Sequence, residues 1–253
     1  MVSFVDQLDH ILNIHPLKIQ LLDIIHQDAD LVAINKPSGL LVHRSPIDKR
    51  ETRFAVQELR NQIGQHVYPL HRLDKPTSGV LVFALSSEAA SFYSEQFREH
   101  QITKTYLALV RGYGPKNLSI DHGLSDEADD YAGIKAGGEA KEALTHVKLL
   151  CQFEIPLMVD RYPTTRLSLM QCEPVTGRKH QIRRHLKHIG HPIVGDSRHG
   201  KGVLNRACEG YFGAGRLWLA CTQMVLTRRD GSALVIDAPL EADFEQVLKQ
   251  LNR

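Results

Sequence analysis

The sequence predicts an α+β protein built on a mixed, mainly antiparallel sheet. Short runs rich in Ile, Val and Leu alternate with amphipathic stretches, and they do so without the regular strand–helix–strand rhythm of a parallel sheet. The chain has 253 residues, 42% of them hydrophobic, which is enough to bury a substantial core. No internal repeat, low-complexity tract or Pro/Gly-rich linker divides it.

Residues 1–17 carry Val5, Leu8, Ile11 and Leu12 at helical spacing and end near Pro16. They read as an N-terminal helical extension, with the main domain over residues 18–253. Residues 19–26 and 31–35 are apolar and β-branched, and read as two strands joined by a turn at 27–30. A loop follows at 35–39, extended chain at 40–42, a helix at 53–63 and a strand at 80–84. Residues 87–100 read as a helix capped by Ser86 or Ser87, with Ala89, Tyr93 and Phe97 on one face. Residues 103–110 alternate as a strand. Residues 121–142 hold Asp121, Asp126, Glu127, Asp129, Asp130, Glu139 and Glu142 among several glycines. They are expected to form a solvated insertion outside the core, and are a poor candidate for contacting phosphate. Strands are expected at 144–153 and 164–172, and a helix from about Arg178 to Ile189, preceded by Thr176 and ended by Gly190 and Pro192. Late strands at 216–226 and 232–237 precede a C-terminal helix striped by Leu240, Phe244, Val247, Leu248 and Leu251.

Composition excludes some functions. The cysteines Cys151, Cys172, Cys208 and Cys221 form no C-x-x-C pair and read as reduced thiols. No stretch approaches the roughly 20 apolar residues of a membrane span, and no basic segment precedes a long apolar run, so a cytoplasmic protein without a membrane partner is expected. The net charge of +2 hides a basic stretch. Residues 161–206 contain ten Lys and Arg against only Glu173 and Asp196, a distribution that attracts phosphates. Arg178, Arg184 and Lys187 are the candidate phosphate contacts. Five histidines share that window, but no Glu lies between them at metalloprotease spacing, so a zinc site is not expected.

The most informative segment is His71-Arg72-Leu73-Asp74-Lys75-Pro76-Thr77-Ser78-Gly79. Pro76 and Gly79 make it a turn into a buried strand. Asp74 is held there between basic residues, which favour its ionised form, and an ionised carboxylate can act as nucleophile or base. Paired-carboxylate glycosidase chemistry would need a second acid facing Asp74, and no motif supplies one.

This segment resembles the H-R-L-D-x-x-T-S-G signature of the RluA family of pseudouridine synthases. Further segments match in the same order: Asn35-Lys36-Pro37-Ser38-Gly39, the strand Lys104-Thr105-Tyr106-Leu107-Ala108-Leu109-Val110, the run Thr176-Gly177-Arg178-Lys179-His180-Gln181-Ile182-Arg183, and His191-Pro192-Ile193-Val194-Gly195-Asp196. The resemblance covers roughly residues 20–240. One departure is Ala220, where many members carry His, and it bears on packing more than on chemistry.

The resemblance implies the pseudouridine synthase fold, with flanking helices and a central RNA-binding cleft. It also implies cofactor-independent isomerisation of uridine to pseudouridine. Asp74 would be the catalytic carboxylate; whether it attacks sugar, attacks base or removes a ribose proton stays open at this point. Tyr106 would stack on the target base, with a proton-handling role left open, Arg183 would pair with Asp74, and Arg72 would fill the gap left by the flipped base. His71 is expected to be structural. Arg183 has an independent argument, since it lies at the edge of the helix stripe of Ile182, Leu186 and Ile189, where a charge can reach a cleft. Within the family the chain resembles a tRNA-modifying subgroup that acts on uridine 65. Many rRNA-directed members carry an S4-type domain, for which the short leader leaves no room. An rRNA-directed synthase and a catalytically silent RNA-binding or chaperone protein on the same fold are the alternatives. A monomer without an obligate protein partner is expected.

Overall fold

A computed structural model of the chain describes residues 21–44, 51–127 and 137–252. The expected extension at 1–17 lies outside these residues. The chain begins with β1 (Asp23–Gln27) and β2 (Leu31–Lys36), an antiparallel pair whose turn is closed by Asp28, the Oδ1 of which accepts from the Asp30 and Leu31 amides. There follow α1 (Ala55–Ile63), β3 (Tyr68–Pro69), β4 (Ser78–Ala84), α2 (Ser87–Arg98) and β5 (Thr103–Arg111). Ser86 caps α2 by accepting from the Ala89 amide at 3.0 Å. Then come β6 (Asn117–Asp121), β7 (Leu124–Asp126), β8 (Gly137–Lys141), β9 (Leu144–Ile155) and β10 (Thr165–Pro174). The chain ends with α3 (Gln181–His188), α4 (Gly202–Phe212), β11 (Leu219–Thr227), β12 (Ala233–Asp237) and α5 (Ala242–Leu251).

Ten strands form one sheet, ordered β1-β2-β4-β11-β5-β10-β9-β6, with β3 on β4 and β12 on β11. Among the described strands, every pairing is antiparallel except the short β4–β11 seam, where Ser78 faces Ala220 and Gly79 faces Cys221. A Cβ at Gly79, whose φ is +107°, would collide with the Cys221 carbonyl, so a glycine is what lets the two strands meet. The α+β class with a mainly antiparallel sheet is as expected.

Side chains alternate across the sheet into two cores. Ala108, Val110, Met170 and Cys172 join the larger cluster, which includes the apolar run 80–84 of buried β4. Leu109, Leu167 and Leu169 point the other way, with Trp218 and Phe244, toward α4 and α5. No helix among the described residues is long and apolar enough to cross a membrane.

Four expectations need correction. The segment 117–121 and the helix α4 were not anticipated: the first is an edge strand with four of five residues exposed, and the second is broken up in sequence by Gly202 and Gly210. The helix expected from Arg178 begins at Gln181, because Gln181 turns back to cap the preceding turn, its Oε1 accepting from Thr176 Oγ1 at 2.6 Å and the Arg178 amide at 3.0 Å. The strand expected from residue 216 begins at Leu219. The acidic insertion carries a small hairpin of its own, β7 with β8, separate from the main sheet.

Candidate active site

Three elements converge on a cleft of about 600 Å³ lined by Arg72, Asp74, Tyr106, Arg178, His180 and Arg183, among others. A volume of that order matches sites for small ligands of about 300–1,000 Å³. Apart from Asp74, its charged lining is cationic: Arg72, Arg98, Lys104, Arg178, Lys179 and Arg183.

Asp74 projects from the turn before β4. The turn is closed by the Thr77 amide donating to the Asp74 carbonyl at 3.0 Å. It is braced from outside by residues 36–39. Gly39 N donates to the Lys75 carbonyl at 2.9 Å, and Ser38 Oγ donates to the Pro76 carbonyl at 2.9 Å. Buried Lys36 spends its ammonium on the carbonyls of Pro37, Leu40 and Lys75 at 2.8, 2.8 and 3.1 Å. Burial draws the Lys36 pKa down to about 7, while Glu241 and Asp74 pull the other way. Three acceptors match the three N–H groups of the protonated form.

The expected partner of Asp74 is in place. Arg183 Nη1 donates to Asp74 Oδ2 at 2.8 Å. The other edge of the guanidinium forms a fork on buried Asp196, Nε to Oδ2 at 2.7 Å and Nη2 to Oδ1 at 2.8 Å. Asp196 Oδ1 also accepts from the amides of Arg198 and His199, at 2.9 and 2.8 Å. Burial works against the Asp196 carboxylate, yet these donors hold its pKa below the usual value. Arg183 is thus immobilised by one carboxylate and presented to another, a geometry lysine could not supply. The Asp74 side chain keeps 22% exposure, so it faces the cleft and not the core.

Tyr106 on β5 is buried at the cleft floor, opposite Cys172 on one neighbouring strand and Cys221 on the other. Burial, with Cys221 beside it, raises its pKa well above 10, so the phenol keeps its proton. His71 is structural, as expected. Its Nε2 accepts from the Val82 amide at 3.1 Å and its ring stacks on Phe97 at 5.1 Å. Burial lowers its pKa to about 3, with Lys104 adding to the effect.

The proposed RNA contacts divide. Arg72 and Arg178 line the cleft; Arg184 and Lys187 are not among its lining residues. Lys187 is exposed. Arg184 donates from Nη1 to the Ser125 carbonyl at 2.9 Å and lies 3.9 Å from Glu127, so its guanidinium holds the hairpin.

At the end of β7, Glu127 joins His180 and His199, to none of which the sequence gave a role. Glu127 Oε2 accepts from His180 Nδ1 at 2.7 Å, and His199 Nε2 lies 3.2 Å from His180 Nδ1. The spacing of the histidines gave no sign of a carboxylate among them, because Glu127 arrives from another element. Glu127, His180 and His199 are spaced closely enough to hold a metal ion. However, Arg198 at 3.5 Å and Arg184 at 3.9 Å from Glu127 already balance its charge and oppose a divalent cation there.

Similarity to known proteins agrees with this geometry. The family described as RNA pseudouridylate synthase matches residues 30–188. The chain is 48% identical over 233 residues to a protein named tRNA pseudouridine synthase C from Pectobacterium carotovorum subsp. carotovorum, covering 91% of this chain and 62% of the relative. It is also 48% identical over 233 residues to a protein of the same name from Vibrio cholerae, covering 91% and 96%. Among solved structures it resembles human RNA pseudouridylate synthase domain containing 1, with a TM-score of 0.68 and 25% identity over 94% of this chain and 97% of that one. With these matches and the fold they share, the chain belongs to the RluA-type RNA pseudouridylate synthase family of isomerases.

Proposed function

We propose that the protein isomerises a single uridine of tRNA to pseudouridine, namely uridine 65 in the acceptor/T-stem region, with Asp74 as the catalytic carboxylate. The observation that carries this reading is the Asp74–Arg183 pair at 2.8 Å in an otherwise cationic cleft. The relatives named for tRNA support the substrate class.

The target base must leave the helical stack before its atoms can be reached, at a cost of a few kcal/mol. Arg72, at the cleft wall, occupies the space that the base vacates, where its flat guanidinium can stack. Arg178 and the neighbouring cations hold the phosphates. Inside, Tyr106 supports the face of the uracil. Arg183 fixes the direction of Asp74 toward the ribose. The N1–C1′ bond breaks, the uracil turns, and C5 joins C1′. No atom enters or leaves, so the isomerisation itself calls for no redox or metal cofactor. The protein acts in the cytoplasm, as a monomer and without an obligate protein partner.

Pseudouridine mapping of total tRNA and rRNA, with and without the gene, tests the substrate. Loss of one tRNA site is expected. Loss of an rRNA site instead reassigns the substrate, and no loss favours a silent RNA-binding protein. Asp74→Asn is expected to abolish product while leaving tRNA affinity largely intact; normal turnover by that variant would remove Asp74 from the chemistry.

A further inference from the structure

We infer that His180 is the base that takes the C5 proton of the rejoined uracil, and that Glu127 is the positioning residue that aims it. The inference rests on the proposed isomerisation and concerns one step of it. Once C5 has bonded to C1′, that carbon holds both the sugar and its original hydrogen. To restore the ring, the C5–H bond breaks, its electrons form the C5=C6 double bond, and the C6=N1 pair moves onto N1. The departing proton goes to His180 Nε2, and N1 takes up a proton in turn, so the balance is zero.

The geometry selects His180. A carboxylate only accepts hydrogen bonds, so the 2.7 Å contact with Glu127 Oε2 places the imidazole proton on Nδ1. In the neutral ring, Nε2 then keeps a lone pair. Nε2 lies 3.8 Å from Asp74 Oδ2, too far for a hydrogen bond but close to where C1′ and its new C5 bond must lie. Of the cleft-lining histidines His71, His100 and His180, only His180 approaches Asp74 in this way among the described residues. His71 Nε2 is occupied by the Val82 amide. Tyr106 keeps its phenolic proton, and Asp74 Oδ2 is already occupied by Arg183 Nη1 at 2.8 Å.

A second observation points the same way. His180 has φ +55°, in the left-handed region, at the residue before α3. His100 and Asp160 share that φ, but of the three only His180 lies beside Asp74. The turn is what swings the ring away from the helix and between two carboxylates.

The groups facing His180 are Asp74, Glu127, Arg183 and His199, with Arg184 and Arg198 behind Glu127. Burial lowers the His180 pKa, Arg183 adds to this, and Asp74 and Glu127 oppose it. The neutral, proton-accepting form therefore prevails at neutral pH. Activity should fall as pH drops through the His180 pKa, below the ordinary imidazole value.

The test is single-turnover conversion of a tRNA transcript carrying either hydrogen or deuterium at C5 of its uridines. His180→Asn suits the left-handed backbone. It is expected to bind the transcript normally, to form product about 100-fold or more slowly, and to acquire a C5 deuterium isotope effect absent from the wild type. His180→Gly is equally compatible with that backbone and should be rescued by added imidazole. Glu127→Gln should slow conversion less than His180→Asn and shift the acid limb to lower pH, which a purely structural role would not do. A His180→Asn protein with the wild-type rate and no isotope effect overturns this inference alone. So does a His180→Gly protein that binds the transcript yet ignores imidazole. A wild type that makes no pseudouridine overturns the proposed function as well.

Discussion

The Asp74 turn and the Glu127 hairpin meet at one cleft but are built by opposite means. The turn leads into β4, all of whose residues are buried, and is braced by main-chain and side-chain bonds from residues 36–39. The hairpin pairs only with itself as a sheet, has a fully exposed β8, and is tied to the body by charged side chains on Glu127 and by the Arg184 bond to Ser125. The contrast separates two requirements. A carboxylate that must keep one direction is best held by packed backbone, whereas a residue that orients a neighbour can be carried on an adaptable arm.

Glycine substitutions should break the comparison most sharply. Gly79→Ala would drive a Cβ into the Cys221 backbone at a φ of +107°, where neither strand can give way. A loss of about 3 kcal/mol or more is expected in denaturant unfolding, with loss of activity. Gly137→Ala in the hairpin has a similar φ of +104° but open space around it. It should cost only about 1 kcal/mol. Equal costs would mean that the hairpin is as tightly embedded as the turn.

Lys36→Met comes next. It removes the donor shared by three carbonyls, and buried groups left unsatisfied cost about 1–3 kcal/mol each. Thermal stability should fall, and product formation should fall further than stability alone explains, because the Asp74 turn loses its brace. Unchanged turnover at temperatures where the variant stays folded would show that the brace does not position Asp74.

The smallest effects distinguish two arginines. Arg178→Ala should weaken tRNA binding and lower the salt dependence of affinity by about one counterion. Arg184→Ala should leave that slope unchanged, because its guanidinium is committed to the hairpin. Measuring affinity across a salt series checks both, and a drop in slope for Arg184→Ala would return it to the phosphate surface.

Much of this was legible in the sequence. Asp74 lies in a turn whose Pro76 and Gly79 announce a rigid entry to a buried strand, and the apolar run behind it has the composition of a central strand. Arg183 falls at the edge of an apolar helical stripe, and the structure brings it to Asp74. The contact of Arg184 with Ser125 was not legible because adjacent positions on a helix face different ways by about 100°, and charge alone does not say which faces the cleft. α4 was missed because its glycines blur the helical pattern.

Local chemistry by itself determined the alternation of strands and helices, the braced turn and the residue types that make a charged cleft, since these depend on spacing within a few residues. Only the tertiary structure decided that Asp196 would hold Arg183 from behind, and that Glu127 would reach His180 from 53 positions away. Those contacts join segments remote in sequence, and their existence depends on how the sheet and α3 pack, which no local pattern encodes.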